Sequence, residues 1–242
     1  MGETGRSGVD RAESERWRFS HFLLLVSGLS FLIWAQDVKA GTIGDPTASG
    51  KPNTLSQLNL EYDSIERKMD SGDSGFGGKT TSERVLLQGI YGLTPFVDLY
   101  LRVGVADLET ASRNFQGKSG FAFGGGGRWT LFQRGDLNIG LGIQALEFFS
   151  NDSGATAPKV TWTEIESYLG GSLRGMERFT PYFGVSFSKA QGDFDNGPTI
   201  RSSNFIGIFI GAEFQIYGNY YFLSEARLID ENSLTLQLNY HL

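Results

Sequence analysis

The residues of this chain that could form a common site are charged. They occupy every second position of segments in which apolar and polar residues alternate. A β-strand turns alternate residues to one face, so these charges would meet on the same side of a sheet. A charge held away from water must pair or reach solvent. We therefore predict either a salt-bridged core or a narrow polar pathway whose charges select ions. The predicted network comprises Arg84, Asp98, Arg102, Arg128, Glu164, Glu166, Glu213, Glu225 and Arg227.

Histidine, the commonest general base in enzymes, occurs only twice, as His21 and His241. His21 lies in an apolar leader, and His241 lies at the end of the last predicted strand. Neither is expected to meet a serine or aspartate at the opposite rim of the sheet, as a catalytic dyad would require. We predict that the protein is not an enzyme.

Two short motifs only partly match known ligand loops. Gly77-Gly78-Lys79-Thr80 lacks the leading glycine of a phosphate loop, because Asp73 stands at that position, and a strand follows instead of a helix. The segment 193–197 resembles a calcium loop, but it ends in Gly197 where an acid or amide is needed, and position twelve is Asn204. We predict no cofactor and no metal site.

Alternation of apolar and polar residues along most of the chain predicts the strands that position the charges. The last ten residues, 233–242, alternate to the end, with leucines on one face and polar residues on the other. Ten strands are predicted, with eight as the alternative. They cover 56–69, 82–93, 96–107, 119–132, 137–149, 159–173, 179–190, 204–216, 219–229 and 233–242.

The predicted connections alternate between short and long. Four short ones, at 94–95, 133–136, 174–178 and 217–218, share one end of the sheet. Long polar connections lie at the other end of the sheet, at 70–81, 107–118, 150–158 and 190–203. The connection at 230–232 is the one predicted exception, because it is short. Short turns on the periplasmic side and long loops outside are typical of bacterial membrane barrels. An even strand count then places both termini on the periplasmic side. A soluble two-sheet sandwich also alternates, but it does not explain this asymmetry.

The first forty residues are interpreted as a targeting segment. An apolar run at 22–34 follows two arginines and is too short to span a bilayer as a helix, although an uncleaved anchor is the alternative. Val38-Lys39-Ala40 is a small-x-small cleavage signal that makes Gly41 the first mature residue. The boundaries are therefore a signal peptide at 1–40, a flexible periplasmic lead-in at 41–55 and a barrel at 56–242.

Composition agrees with an exported barrel. The 242 residues include no cysteine, which excludes disulfides and a lipid-modified cysteine, and the net charge is −6, which does not favour a nucleic-acid partner. The mean hydropathy of −0.20 is low for helical membrane proteins. It fits a membrane barrel because every second strand residue faces inward.

The hairpin YGLTPFVDLYLRVG at 91–104 and the final strand SLTLQLNY resemble those of small bacterial outer-membrane β-barrel proteins, the OmpA/OmpW-like porin family. The resemblance implies a closed antiparallel transmembrane β-barrel in the outer membrane. It implies contact with membrane lipid and lipopolysaccharide, and with the barrel-assembly machinery through the C-terminal strand. We expect a monomer with a structural or narrow small-solute or ion permeation role. The alternative is a surface adhesin that acts through the loops at 70–81, 107–118 and 190–203.

Overall fold

The strands of this chain form one closed antiparallel barrel. The computed structural model describes residues 42–71, 78–110, 115–152, 159–195, 197 and 199–242, so the predicted signal peptide lies outside the described residues. In chain order the strands are β1 (Thr54–Ser71), β2 (Gly78–Thr94), β3 (Val97–Ala106), β4 (Glu109–Thr110), β5 (Phe115–Lys118), β6 (Gly120–Arg134), β7 (Leu137–Asp152), β8 (Lys159–Leu173), β9 (Phe179–Phe194), β10 (Ile200–Ser202), β11 (Ile206–Tyr217), β12 (Tyr220–Leu228) and β13 (Glu231–His241). Within the described ranges, no helix is long and apolar enough to cross a membrane.

Closure of the sheet brings its first and last strands together. β1 pairs with β13 from Gln57 opposite His241 to Arg67 opposite Glu231, and its other edge pairs with β2. Ten of the strands are long, and each pairs with the next long strand along the chain. The prediction of an all-β, ten-stranded closed antiparallel barrel is confirmed.

The two ends of the barrel differ in their connections. Tight links join the strands at 95–96, 135–136, 174–178 and 218–219, which we call the short-turn end; both ends of the strand series lie there. Gly135 and Gly218 adopt φ of 58° and 53°, a left-handed conformation that glycine accepts without strain. At the opposite, long-loop end, short strands stand where the sequence predicted loops. In the described parts of 107–118 and 190–203, β4, β5 and β10 extend the barrel wall.

The outer surface of the barrel is a continuous apolar belt. Leu101 is 74% exposed, and large apolar side chains on neighbouring strands are exposed in the same way. Aromatic residues, including Phe96, Tyr217 and Tyr220, are exposed near the short-turn end, where a membrane interface would lie. An apolar belt around the whole barrel has to face the hydrocarbon of a bilayer, because exposure of so much apolar surface to water would be unfavourable.

The inside of the barrel is filled by an apolar layer at the long-loop end. Phe148 stacks on Trp162 with ring centroids 6.0 Å apart, and Phe115 meets Phe194 edge-on at 5.5 Å. Trp162 and Phe148 are almost fully buried. We call this group the apolar layer; it consists of Met69, Leu86, Ala106, Leu108, Phe115, Ala122, Leu146, Phe148, Val160, Trp162, Ala190, Phe194 and Ile200.

We predict that arginine on the outer belt destabilises the barrel according to its depth. Leu101→Arg should lower the free energy of unfolding by about 2–4 kcal/mol, because the charge would face the bilayer midplane. The control Phe96→Arg, at a turn, should lower it by about 0–1 kcal/mol, because the charge reaches the interface. Denaturant titration of the protein folded into lipid vesicles measures both. Equal losses would show that the belt does not lie in the membrane as described.

Candidate functional site

Below the apolar layer, buried charges form a network that crosses the lumen. Glu164 on β8 accepts hydrogen bonds from Arg84 at 3.0 Å and from Arg67 at 3.3 Å, and it also receives the indole N–H of Trp162 at 3.4 Å. All three charged side chains are at least nine-tenths buried. One carboxylate thus holds two guanidinium groups and joins them to the apolar layer.

Arg227 on β12 ties the remaining acidic residues of this network together. It pairs with Glu166 and lies 3.2 Å from Glu231 and 3.7 Å from Asp230. Glu231 also pairs with Arg67, so the two halves of the network are joined. We call these residues the ion-pair layer; they are Arg67, Arg84, Glu164, Glu166, Arg227, Asp230 and Glu231.

The sharp link between β12 and β13 aims Asp230 into the lumen. Ile229 there adopts φ of 89°, which is uncommon for a β-branched residue. Asp230 accepts a hydrogen bond of 2.5 Å from Ser188, in addition to its contact with Arg227. The backbone strain at this link is therefore associated with a buried carboxylate that helps to hold an arginine.

We call residues 42–51 the strap; residues 42–49 of it lie inside the short-turn half of the barrel, and Gly50 and Lys51 are exposed. Thr42 is 1% exposed; its hydroxyl donates to Asp63 at 3.2 Å, and its carbonyl accepts from Arg102 at 2.7 Å and from Gln144 at 3.4 Å. The sequence predicts a flexible lead-in at 41–55, ahead of the barrel. The structure instead places residues 42–49 within the lumen, because the backbone N–H and C=O groups of this small-residue segment satisfy charged side chains of the wall.

Glu225 is held by the backbone of the strap. Its two carboxylate oxygens accept hydrogen bonds from the N–H groups of Ile43 and Gly44, both at 2.9 Å. The hydroxyl of Tyr182 donates to the same carboxylate at 3.0 Å. Three donors therefore satisfy a buried carboxyl group that, among the described residues, makes no ion pair with an arginine.

Asp98 links the wall to the end of the strap. It accepts from Arg128 through Nε and Nη2 at 2.9 and 2.8 Å, and from the N–H and hydroxyl of Ser49 at 2.8 and 3.0 Å. Arg128 also donates to the carbonyl of Asp45 at 3.0 Å. Arg174, in the turn after β8, pairs with the Asp45 carboxylate at 2.8 Å. The Asp45 carboxylate resists protonation: burial raises its pKa, but Arg174 and Arg128 outweigh burial and lower its pKa below the usual value.

Next to the strap, a cavity of about 290 Å³ lies at the short-turn end. We call this cavity the vestibule. Glu213 in its wall accepts from Asn239 at 2.7 Å and contacts His241 at 3.1 Å, while the His241 ring stacks on Tyr221 at 4.0 Å. Past Thr42 toward the ion-pair layer, a second cavity of only about 10 Å³ remains.

All nine residues of the predicted charge network face the lumen, but they do not form one ring. Arg84, Glu164, Glu166 and Arg227 belong to the ion-pair layer, and Glu213 lines the vestibule. The others contact the strap; they are Asp98, Arg102, Arg128 and Glu225.

The predicted charge network did not include six charged residues that contribute to these contacts. They are Asp45, Glu61, Asp63, Arg67, Asp230 and Glu231. Alternation already places Glu61 and Asp63 on the inner face of β1, so that signal was available. Arg67 continues the same alternation near the end of the strand. In the described part of the chain, no group of three or more acidic or histidine side chains is arranged to hold a metal ion.

No family model and no curated protein matches the sequence. Solved structures with similar folds include the COG4313 outer membrane channel from Pseudomonas putida F1, with 12% identity, a TM-score of 0.47 and coverage of 84% of this chain and 100% of that one. The outer membrane protease OmpT from Escherichia coli has 13% identity, a TM-score of 0.40 and coverage of 80% and 100%. The toluene transporter TbuX from Ralstonia pickettii has 9% identity, a TM-score of 0.34 and coverage of 82% and 92%.

Identities this low concern the fold alone. The closed wall and the exposed apolar belt of the chain itself make it a small β-barrel of the outer-membrane type. The resemblance that the sequence shows to such barrels is confirmed.

We predict that the ion-pair layer is sensitive to loss of one charge. Glu164→Gln should lower the free energy of unfolding by about 3–5 kcal/mol, because it leaves two buried guanidinium groups without their shared carboxylate. The control is Glu66→Gln, which breaks a pair with the half-exposed Lys79 on the outer wall and should cost about 0–1 kcal/mol. Denaturant titration compares the two variants. A loss of less than 1 kcal/mol for Glu164→Gln would mean that water reaches this layer.

Acid should loosen the strap through Asp45. The pKa of Asp45 is lowered in the folded barrel, so its stabilising contribution is complete above the unfolded pKa of about 3.9 and disappears as the pH falls through the folded value. Pepsin cleavage within the strap, followed by mass spectrometry from about pH 4 to pH 2, measures the effect. Asp45→Asn should remove this component of the pH dependence. An unchanged pH profile in that variant would contradict the role of the Asp45–Arg174 pair.

Proposed function

We propose that this protein is a structural outer-membrane barrel with a sealed lumen. The proposal rests on the described interior of the barrel. From the long-loop end to the short-turn end, it is filled in turn by the apolar layer, the ion-pair layer and the strap. The protein would lie in the outer membrane with its short-turn end and both strand termini toward the periplasm, as is usual for bacterial barrels.

The apolar layer is the strongest support for a sealed state. Ion movement through a narrow pore needs polar groups or water along the path, and the side chains of this layer offer neither. Phe148 is 0% exposed and Trp162 is 1% exposed. Below them, the buried ion pairs leave a cavity of about 10 Å³, which accommodates about one water-sized sphere.

The second candidate is a narrow pathway for cations or small solutes. The vestibule of about 290 Å³ supports it, because it gives such a solute an entrance from the short-turn end. The charge balance also supports cations, since the carboxylates that face the lumen or line the vestibule outnumber the basic side chains there. The carboxylates are Asp45, Glu61, Asp63, Asp98, Glu164, Glu166, Glu177, Glu213, Glu225, Asp230 and Glu231, and the basic side chains are Lys51, Arg67, Arg84, Arg102, Arg128, Arg174, Arg178 and Arg227.

A role as an adhesin through the predicted loops stays a prediction, as do contacts with lipopolysaccharide and with the assembly machinery, and the monomeric state. Part of those loops lies outside the described residues. We also propose that the barrel is not an enzyme. His241 lies at the short-turn end beside Glu213, far along the barrel from the long-loop rim.

Recording of the purified barrel in planar bilayers distinguishes the candidates. We expect no conductance from the wild-type protein, and none after deletion of residues 42–50, because the apolar and ion-pair layers remain. Heat-modifiable gel migration of both samples provides the folding control. Discrete, cation-selective steps that appear when the strap is deleted would support the pathway and contradict the sealed barrel.

A further inference from the structure

The barrel wall is lower on one side of its long-loop end. β1 and β9 are 18 and 16 residues long, whereas β11, β12 and β13 have 12, 9 and 11 residues. β13 pairs with β1 as far as Arg67, and beyond that point β10 takes its place against β1. β10 also pairs with β9, where Arg201 lies opposite Gln191. We call the outer face of the wall just below β10 the step.

The floor of the step is apolar and exposed. Phe205 is 63% exposed and Ile229 is 59% exposed. Asn204 joins the two segments, because its Nδ2 donates to the carbonyl of Ile229 at 3.1 Å. Beside them, Ile206 lies opposite Phe187 of β9, and both side chains are exposed. These residues form the edge of the outer apolar belt, so the hydrocarbon of a bilayer would end at this level.

Three exposed cations border the step: Lys68 on β1, Lys189 on β9 and Arg201 on β10. The N–H and the hydroxyl of Ser203 approach the carbonyl of Lys68 at 3.2 and 3.0 Å, and Lys189 is two residues from the partner of Arg201 in β9. Neighbouring strands are about 4.8 Å apart, so Lys68 and Lys189 lie about 10 Å from each other across the chain at β10. Their long, flexible side chains can reach one anion from both sides.

Acidic side chains do not neutralise the edge of the step. Among the residues that the structure describes, none of the three cations forms an ion pair. The nearest acids are Asp70, which lies opposite Arg201, and Asp193, whose oxygens are held by two neighbouring side chains. Both acids lie farther from the apolar floor than the lysines of the same strands. The charges next to the belt are therefore positive.

We propose that the step binds one lipid whose headgroup carries a phosphate monoester. Lys68 and Lys189 bind the phosphate from two sides, Arg201 lies above it, and the acyl chains cover Phe205 and Ile229. A phosphate monoester carries nearly two negative charges at neutral pH, which matches the two lysines. The apolar floor favours a lipid over a free anion, because a free anion gains nothing from it. The site does not depend on whether the barrel conducts.

Native mass spectrometry of the barrel in detergent counts the lipid molecules that stay bound. The probes are dioleoyl phosphatidic acid, which carries a phosphate monoester, dioleoyl phosphatidylcholine, which has the same chains and no net charge, and inorganic phosphate. We expect one phosphatidic acid per barrel to be retained at concentrations at which phosphatidylcholine is lost. A large excess of inorganic phosphate should not displace it.

Matched lysine variants separate this site from a general attraction of the basic wall. Lys68→Gln and Lys189→Gln should each weaken the affinity for phosphatidic acid about fivefold, the usual size of one lysine contact with anionic lipid. The control is Lys79→Gln. Lys79 lies directly opposite Lys68 in β2 and is also exposed, but it pairs with Glu66, so its loss should leave the affinity nearly unchanged.

Three results would overturn the proposal. The first is equal retention of phosphatidic acid and phosphatidylcholine. The second is a loss of affinity in Lys79→Gln as large as in Lys68→Gln, which would show that the wall attracts anionic lipid without a site. The third is displacement of the lipid by inorganic phosphate, which would show a site for a free anion. None of these measurements reports conductance, so failure here is distinct from failure of the sealed-barrel proposal.

Discussion

The need to pair charge in a narrow, dry lumen is the constraint on which the rest of this structure depends. Ten strands enclose a space that side chains nearly fill, so an inward arginine or carboxylate finds little water there. An unpaired charge in such a place is strongly destabilising. Arg67, Arg84 and Arg227 therefore share carboxylates contributed by several strands. These shared partners hold together strands that are not neighbours in the sheet.

The same constraint explains why the strap enters the barrel. Glu225 has backbone N–H groups as its main donors, and Asp98 binds Ser49 as well as Arg128. Removal of the strap would leave Glu225 with Tyr182 alone among these donors. The wall and the strap thus complete each other. The apolar layer closes the opposite half by ordinary side-chain packing, and the two halves meet at the ion-pair layer, where Trp162 donates to Glu164.

Much of the barrel could be predicted from the sequence, because a period of two tells which side chains face in and which face out. It predicted the number of strands, the outer belt and the inward direction of residues such as Arg102 and Glu166. It could not tell what fills the lumen. Alternation places Trp162 on the same face as Glu164 and Glu166, but only the closed structure shows that it packs on Phe148 inside the barrel. The strap, rich in glycine, serine and threonine, has no periodic pattern at all; its position depends on distant carboxylates that bind its backbone.

Hydrogen exchange at the backbone amides of Ile43 and Gly44 tests the central claim most directly, because these two groups bond Glu225 within the lumen. Nuclear magnetic resonance of the barrel in micelles reports each amide separately, with the neighbouring exposed Asn53 as a reference. The paired and filled lumen described above predicts that Ile43 and Gly44 exchange as slowly as amides in the centre of β1. Exchange of both at the rate of Asn53 would show that the strap lies in water, and it would contradict this account.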